Sequence, residues 1–369
     1  MIRILHVVPS LNINSGVMSV IMNYYRNIDH NQIQFDFLFF SVIEPSYEDE
    51  IRNLGGRTFC IQRPTFSHHN QMMLRDFFSK HKGEFFAVHC HPIWTSFVFA
   101  KEAKRSGIKH IIQHIHSTRY SEKKISAIRN KLLITFVTWF ATDYIACNNE
   151  AVMLFGKRLA KSGKVFVLLN AIDVGKYSFS KQSRSSIRDE FNIPDDSLVI
   201  GNVGRLSIEK NQKFIVEVFN ELVKKDKDAK LMIVGEGPLH HEIENHIKEI
   251  GVQDRVFMTG RRKDIQDILS ALDLFIMPSL FEGTPVSALE ARSSGLPCLL
   301  SDTITKSVNM RGMRYLSINE KPDRWAEEIE NLIEEWKTYD RHDYSEVVRH
   351  GYDIHTEAKR LQNYYLELR

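Results

Sequence analysis

Short runs of β-branched and aromatic residues alternate with longer amphipathic stretches through the first half of the chain. The runs span 2–9, 34–40, 57–62, 85–91, 110–116, 143–148 and 165–170. They are apolar on both faces, as strands of a parallel sheet covered by helices must be. Between them, 17–28, 94–105 and 121–140 carry helical spacing. Such β-α repetition predicts a doubly wound parallel sheet. The pattern pauses over 172–197, where Lys181-Gln182-Ser183-Arg184-Ser185-Ser186 and Pro194-Asp195-Asp196-Ser197 are polar and turn-rich. The domain junction is expected there. A second alternating series follows, with strands at 198–204, 230–235, 255–260, 274–278 and 297–301. Helices are expected from about Gln212, His240, Asp264 and Pro285. Ala358, Leu361, Tyr365 and Leu368 fall at helical spacing in the tail. The expected division is therefore 1–175, 176–350 and a terminal helix over 351–369 that packs back toward the first domain. Two such α/β lobes are expected to face across a cleft, with ligands at the carboxyl ends of strands.

Composition narrows the class. A chain of 369 residues, 43% hydrophobic and 26% charged, lies in the globular range and is long enough for two cores. Its four cysteines are scattered without a Cys-x-x-Cys pair, so neither a disulfide framework nor a zinc ribbon is indicated and a reducing cytoplasm fits best. The first residues read as a strand rather than a signal peptide. The longest apolar run, 132–141, is far shorter than the roughly 18 residues of a membrane span. A net charge of +3 is too small to imply a nucleic-acid partner.

The strongest local signal is Phe281-Glu282-Gly283-Thr284-Pro285-Val286-Ser287-Ala288-Leu289-Glu290-Ala291, directly after the strand at 274–278. Thr284 suits an N-cap and Pro285 the first helical position. That start offers backbone N–H groups to an anion, and Glu282 and Glu290 offer acceptors for sugar hydroxyls. Taken alone, the pair reads as two solvated glutamates on a capped helix. The second signal is Gly201-Asn202-Val203-Gly204-Arg205-Leu206-Ser207-Ile208-Glu209-Lys210. Its glycines admit a ligand close to the backbone, and Arg205 and Lys210 lie where a diphosphate would be neutralised. Val234-Gly235-Glu236-Gly237-Pro238 forms a glycine turn after another strand.

In this order and spacing, the three segments resemble the donor-binding half of family 4 retaining glycosyltransferases, which have the two-lobed GT-B fold. The resemblance implies that Arg205 and Lys210 contact the diphosphate of a nucleotide sugar, Glu290 the ribose and Glu282 the transferred sugar. The N–H groups of Gly283 and Thr284 would complete the anion site beside Gly204. Val88-His89-Cys90-His91-Pro92 and Gln113-His114-Ile115-His116-Ser117-Thr118 resemble the histidine segments of bacterial exopolysaccharide and capsule enzymes in this family. His116 is the expected partner of the donor sugar. One departure stands out. Asn14-Ser15-Gly16-Val17 retains a single glycine where the family usually shows two, so close approach of donor or acceptor is expected at Gly16 and is less assured at Ser15.

Two metal-like patterns are read as structural. His89 and His91 straddle Cys90, but neighbouring strand positions face opposite sides and no fourth ligand is near in sequence, so core packing is expected. Asp226-Lys227-Asp228 sits in a charged turn remote from the strand ends and reads as a solvated loop.

The expected activity is transfer of a hexose-type sugar, with retention, from a nucleotide-diphosphate donor read as a UDP-sugar to a glycan or lipid-linked acceptor. No metal and no cofactor are expected. The family reaction is generally described as front-face displacement, with the departing phosphate assisting acceptor deprotonation. An epimerase, a phosphorylase or a silent sugar-nucleotide-binding protein on the same scaffold are the alternatives. A last expectation concerns the cell membrane. Ile125, Ile128, Leu132, Phe136, Trp139 and Phe140 recur at mostly helical spacing, while Arg119, Lys123, Lys124, Arg129 and Lys131 cluster at the start of the segment. The apolar stripe is expected against the sheet and the basic half of 119–140 against anionic lipid, holding a cytoplasmic enzyme at the inner membrane face.

Overall fold

The computed structural model describes residues 1–65, 67–120 and 124–369, so the expectation placed on Lys123 lies outside the described residues. The chain forms two compact units, Met1–Ala171 with Ile354–Arg369, and Ile172–Asp353.

In the first unit seven strands, β1 (Ile2–Val7), β2 (Ile33–Phe39), β3 (Thr58–Cys60), β4 (Ala87–Cys90), β5 (His110–Ile115), β6 (Asp143–Ala146) and β7 (Val165–Val167), form one parallel sheet in the order β3-β2-β1-β4-β5-β6-β7. Every residue of β2 is buried, which explains why five of its seven residues are apolar. Its single acid, Asp36, is tolerated because Arg3 and Arg57 both donate to it, at 2.7 and 2.8 Å. One face of the sheet is covered by the helix Gly16–Asn27 and by the terminal helix Ile354–Glu367. There Ala358, Leu361 and Tyr365 share a core with Tyr24, Tyr25 and Phe35. The other face carries the helix Ile93–Arg105, with Leu74 and Phe78 packed beside it.

The second unit repeats the plan. Strands β8 (Val199–Val203), β9 (Lys230–Val234), β10 (Val256–Gly260), β11 (Leu274–Met277), β12 (Cys298–Ser301) and β13 (Met313–Leu316) pair in the order β10-β9-β8-β11-β12-β13, all parallel. In each unit the chain winds outward in one direction and then returns to wind in the other. The strand order reverses between β1 and β4 in the first unit and between β8 and β11 in the second. Those switch points open crevices at the carboxyl ends of the strands.

Three expectations are corrected. The polar stretch after Ile172 is built into the second unit rather than being a bare linker. Residues Lys181–Glu190 form a helix capped by the Ser180 hydroxyl, which buries one apolar side chain, Ile187, together with Arg188. Arg188 donates to Asp273 at 2.8 Å and to the carbonyls of Ala271, Pro194, Asp195 and Ser197. Polar anchors, not an apolar stripe, hold this helix, so its periodicity is silent. At Pro285 the helix is Val286–Ser293; Pro285 occupies the cap position, and no side chain caps it. The buried Thr284 hydroxyl has no hydrogen-bond partner among the described residues.

The third correction concerns the helix Lys124–Val137. Its sheet-facing positions are Asn130, Ile134 and Val137, whereas Ile125, Ile128 and Trp139 are 85%, 65% and 64% exposed. Leu132 and Phe136 are exposed beside them. Phe140 packs against the core as expected, but the rest of the stripe faces solvent, because positions three and four apart along 125–139 fall on the side opposite Ile134 and Val137.

Candidate functional site

The carboxyl ends of β8 and β11 lie side by side at the second unit's switch point, and the two donor-like segments emerge there. After β8, Gly204 hydrogen-bonds through its N–H to the Val234 carbonyl, and Leu206 to that of Glu236. The glycine turn that follows β9 is thereby laid against the backbone of residues 204–206. A Cβ on Gly235 would stand 2.0 Å from the Gly204 carbonyl oxygen, and one on Gly237 2.2 Å from that of Leu206. Gly235 also has φ +140°. Glycine is required at both positions because two main chains touch. Gly204 differs, since a Cβ there would meet only the Lys210 side chain, at 3.5 Å or more.

The chain then makes a 3-10 turn, Ile208–Lys210, closed by Asn211 in the left-handed conformation. Asn211 donates to the Pro278 carbonyl at 3.2 Å, and Leu280 donates to the Glu209 carbonyl at 2.8 Å. These bonds tie the segment after β8 to the one after β11 and bring Lys210 into an ion pair with Glu282. Ser279 donates to the same carboxylate at 3.4 Å, and Glu282 pairs with Ile304 in an isolated parallel bridge. Arg205, at the start of the same segment, is exposed. Glu209 lies close enough to Arg205 and Lys210 for both to favour its ionised form, although hydrogen bonding to backbone N–H is the larger cause of its lowered pKa.

Glu290, inside the helix Val286–Ser293, is the electrostatic outlier. Burial pushes its carboxyl up to about 7, outweighing the Tyr177 hydroxyl, Lys176 and Lys210, which all favour the carboxylate. Tyr177 and Lys176 belong to the 3-10 turn Gly175–Tyr177. No spacing in the sequence marks them, because they enter from the stretch read as a junction. The structure thus gathers Lys210, Glu282 and Glu290 with two residues that sequence reasoning missed. Gly283 adjoins this group, half-buried in the loop before the helix, with buried Thr284 next to it.

Gly16 and His116 belong to the first unit. Gly16 opens the helix Gly16–Asn27 after β1, with Ser15 as its N-cap accepting from the Met18 N–H. A Cβ on Gly16 would meet nothing within 4 Å, so the fold itself places no demand for glycine there. The capping hydroxyl gives Ser15 a role in place of the family's second glycine.

His116 follows β5 and joins a cluster the sequence did not disclose. Parallel register sets His6 of β1 opposite His89 of β4, while His91 directly follows β4 and His114 lies on the neighbouring strand β5. Two residues apart, at the end of β4 and just beyond it, His89 and His91 stack their rings 4.4 Å apart. No fourth ligand is near in sequence, but the fold brings further histidines beside them. His6 Nδ1 lies 2.9 Å from His91 Nε2, His91 Nδ1 2.7 Å from His116 Nε2, and His89 Nε2 3.2 Å from His114 Nδ1. The Tyr365 hydroxyl meets His89 Nδ1 at 2.6 Å. Burial lowers the pKa of all five imidazoles, His6 and His116 to about 3. Asp226-Lys227-Asp228 lies in the turn after the helix Gln212–Lys225, where Asp226 Oδ1 accepts from the Asp228 N–H.

Comparison with known proteins agrees with this layout. The model of the family "Glycosyl transferases group 1" matches residues 183–347. A putative glycosyltransferase EpsF of Bacillus subtilis (strain 168) is 31% identical over 371 residues, covering 98% of this chain and 96% of its own. An Escherichia coli UDP-Gal:alpha-D-GlcNAc-diphosphoundecaprenol alpha-1,3-galactosyltransferase is 28% identical over 227 residues, covering 60% of this chain and 59% of its own. Among solved structures, Anabaena Alr3699/HepE in complex with UDP superposes with a TM-score of 0.75 at 16% identity, over 100% of this chain and 97% of that one. The likeness in fold is to GT-B enzymes. With a relative this similar along nearly its whole length, two doubly wound sheets and the donor-like segments at a switch point, the chain belongs to the group 1 glycosyltransferases.

Proposed function

We propose that this glycosyltransferase moves a hexose-type sugar, with retention and without a metal at the diphosphate, from a UDP-sugar to a glycan or lipid-linked acceptor in exopolysaccharide or capsule synthesis. The observation that carries the reading is the meeting of Lys210, Glu282 and Glu290 at the β8–β11 switch point. Lys210 and the exposed Arg205 stabilise charge on the departing diphosphate, with the N–H groups of Gly283 and Thr284 beside them and Gly204 leaving room for the phosphates. Glu290 accepts from the ribose hydroxyls and Glu282 from the sugar. Electrostatic stabilisation by fixed cations is the main source of rate. The bond from the anomeric carbon to phosphate oxygen breaks, and the acceptor oxygen bonds to that carbon on the same face. Its proton leaves with the diphosphate. His116 and Gly16 serve the sugar and acceptor from the first unit.

The relatives support the context, EpsF by its likeness along nearly the whole chain and the E. coli enzyme by its printed UDP-sugar donor and diphosphoundecaprenol-linked acceptor. A lipid-linked acceptor requires a protein at the membrane. No helix among the described residues is long and apolar enough to cross one, and the exposed stripe of Ile125, Ile128, Leu132 and Trp139, with Arg129 and Lys131 exposed alongside, fits interfacial insertion. We assign this face to the inner leaflet and the protein to the cytoplasm.

The test is a panel of nucleotide sugars with and without acceptor glycans, read by release of nucleoside diphosphate and by the anomeric configuration of the product. Acceptor-dependent release from a UDP-sugar, unchanged by added Mg2+ or Mn2+, is expected. Donor isomerisation without acceptor, or a strict need for inorganic phosphate, would replace transfer by epimerase or phosphorylase chemistry.

A further inference from the structure

The five clustered histidines of the first unit, His6, His89, His91, His114 and His116, exceed what sugar binding asks of His116. His6, His89 and His91 are buried, and each offers a ring nitrogen within 4.8 Å of the others. Their surroundings are otherwise those of an apolar core, with Phe35 and Phe37 rings 4.1 and 5.5 Å from His6. Imidazoles that merely filled space there would carry a dehydration penalty without a return.

We propose that His6, His89 and His91 form a site for one borderline divalent cation of the zinc class, with His114 as a fourth ligand. The geometry has the two parts such a site needs. Inner nitrogens converge: His6 Nδ1 and His91 Nε2 are 2.9 Å apart, and His89 Nε2 and His114 Nδ1 3.2 Å. Ligand bonds of about 2.0–2.1 Å in a tetrahedron place neighbouring nitrogens about 3.3 Å apart, so a small outward adjustment exchanges N–H···N contacts for a shared cation. Outer nitrogens are held: His89 Nδ1 by the Tyr365 hydroxyl at 2.6 Å and His91 Nδ1 by His116 at 2.7 Å. Partners on the second nitrogen fix the ring orientation of metal-binding histidines. The donor set selects the ion. Four imidazoles without a carboxylate suit Zn2+, Co2+, Ni2+ or Cu2+ and not Mg2+, Ca2+ or Mn2+. The Cys90 side chain packs on the other face, among Leu5, Val7 and Phe99. His116, half-exposed at the end of the cluster, marks the way in. The ion would tie β1 to β4 and, through Tyr365, to the terminal helix.

The experiment strips the full-length, tag-free protein of metal and titrates it with Co2+, then Zn2+. One Co2+ per chain, with the intense visible absorption of a tetrahedral nitrogen site, is expected, displaced by one Zn2+ that raises the melting midpoint. X-ray absorption on the zinc-loaded wild type should show a shell dominated by imidazole nitrogen. His6→Phe and His91→Phe should weaken binding at least a hundredfold. Tyr365→Phe, which removes only an outer partner, should weaken it about 10- to 100-fold. His241→Ala, at an exposed helix position, should change nothing. An oxygen-dominated shell, weak octahedral Co2+ bands, or undiminished affinity in the folded His6 and His91 variants would overturn the site. Where a variant fails to fold, the wild-type spectra decide. Calorimetry with UDP on the same samples reports the second unit, so loss of the donor reading and loss of the metal site are separate outcomes.

Discussion

A diphosphate that recruits Lys210 competes for it with Glu282, since the two are already paired. Removing the lysine or Arg205 takes away cationic stabilisation of about 2–4 kcal/mol, equivalent to about a 30- to 1,000-fold loss of turnover. Arg205→Ala and Lys210→Ala should show that loss in steady-state assays while their melting midpoints stay near wild type. Glu282→Gln should spare nucleotide affinity and impair transfer, because it releases Lys210 while losing a sugar acceptor. Glu290 gives the site a pH dependence. With its carboxyl raised to about 7, it is protonated below that value and is then a poorer acceptor for ribose hydroxyls. UDP affinity measured by calorimetry should therefore fall as pH drops from 8 to 6, by up to about tenfold per pH unit below 7, and Glu290→Gln should flatten the profile. The sign for stability is opposite. Because the folded pKa lies above the ordinary 4.5, the unfolded chain releases this proton first, and the group's contribution is full below 4.5 and lost as pH rises through 7. Motif spacing disclosed Lys210, Glu282 and Glu290 because their segments are short and follow strands directly. Tyr177 and Lys176 reach Glu290 only through tertiary folding. The histidine cluster was equally hidden, since strand register alone brings His6 beside His89.

At the scale of elements, strands buried on both faces were legible, as their apolar runs admit few other readings. Edge strand β13, Met313–Leu316, was not, being four residues long with Arg314 interrupting its apolar positions. The helix Lys181–Glu190 was missed because it is fastened by guanidinium groups. Arg188→Ala should accordingly lower stability by about 3 kcal/mol, the scale of a broken buried pair, and the midpoint by roughly 6–12 °C in a unit of this size. A thermal scan of the variant checks this. The helix Lys124–Val137 shows how periodicity finds a stripe without saying which way it faces. Its exposed apolar side chains should insert into lipid, each contributing up to about 1.5–3 kcal/mol, with about 1 kcal/mol from each basic neighbour at low salt. In sedimentation with anionic vesicles, Ile128→Ser combined with Trp139→Ser should reduce partitioning at least tenfold. Arg129→Gln with Lys131→Gln should reduce it less, and only at low salt. Equal binding by all three proteins would dismiss this face as the membrane contact.

For the molecule as a whole, the pattern of runs and pauses disclosed two sheets. It also set a terminal helix back toward the first domain, but could not disclose which core residues that helix would join. Removing Ile354–Arg369 takes Ala358, Leu361 and Tyr365 out of a core shared with Tyr24, Tyr25 and Phe35, and with them the Glu357 side chain that accepts from the Leu169 N–H. A chain ending at Asp353 should keep a protease-resistant core from the second unit while the first is degraded, as mass spectrometry of the fragments would show. The same feature sets a timetable for synthesis. Domains generally fold as units while the chain emerges, N-terminal first, yet here the N-terminal sheet must wait. The second unit can finish on the ribosome while the first, begun earlier, still shows an apolar face to any chaperone within reach. Only after residues 354–369 have been made can that face be covered, so translation that stops before them releases a half-covered sheet to the cell's quality control.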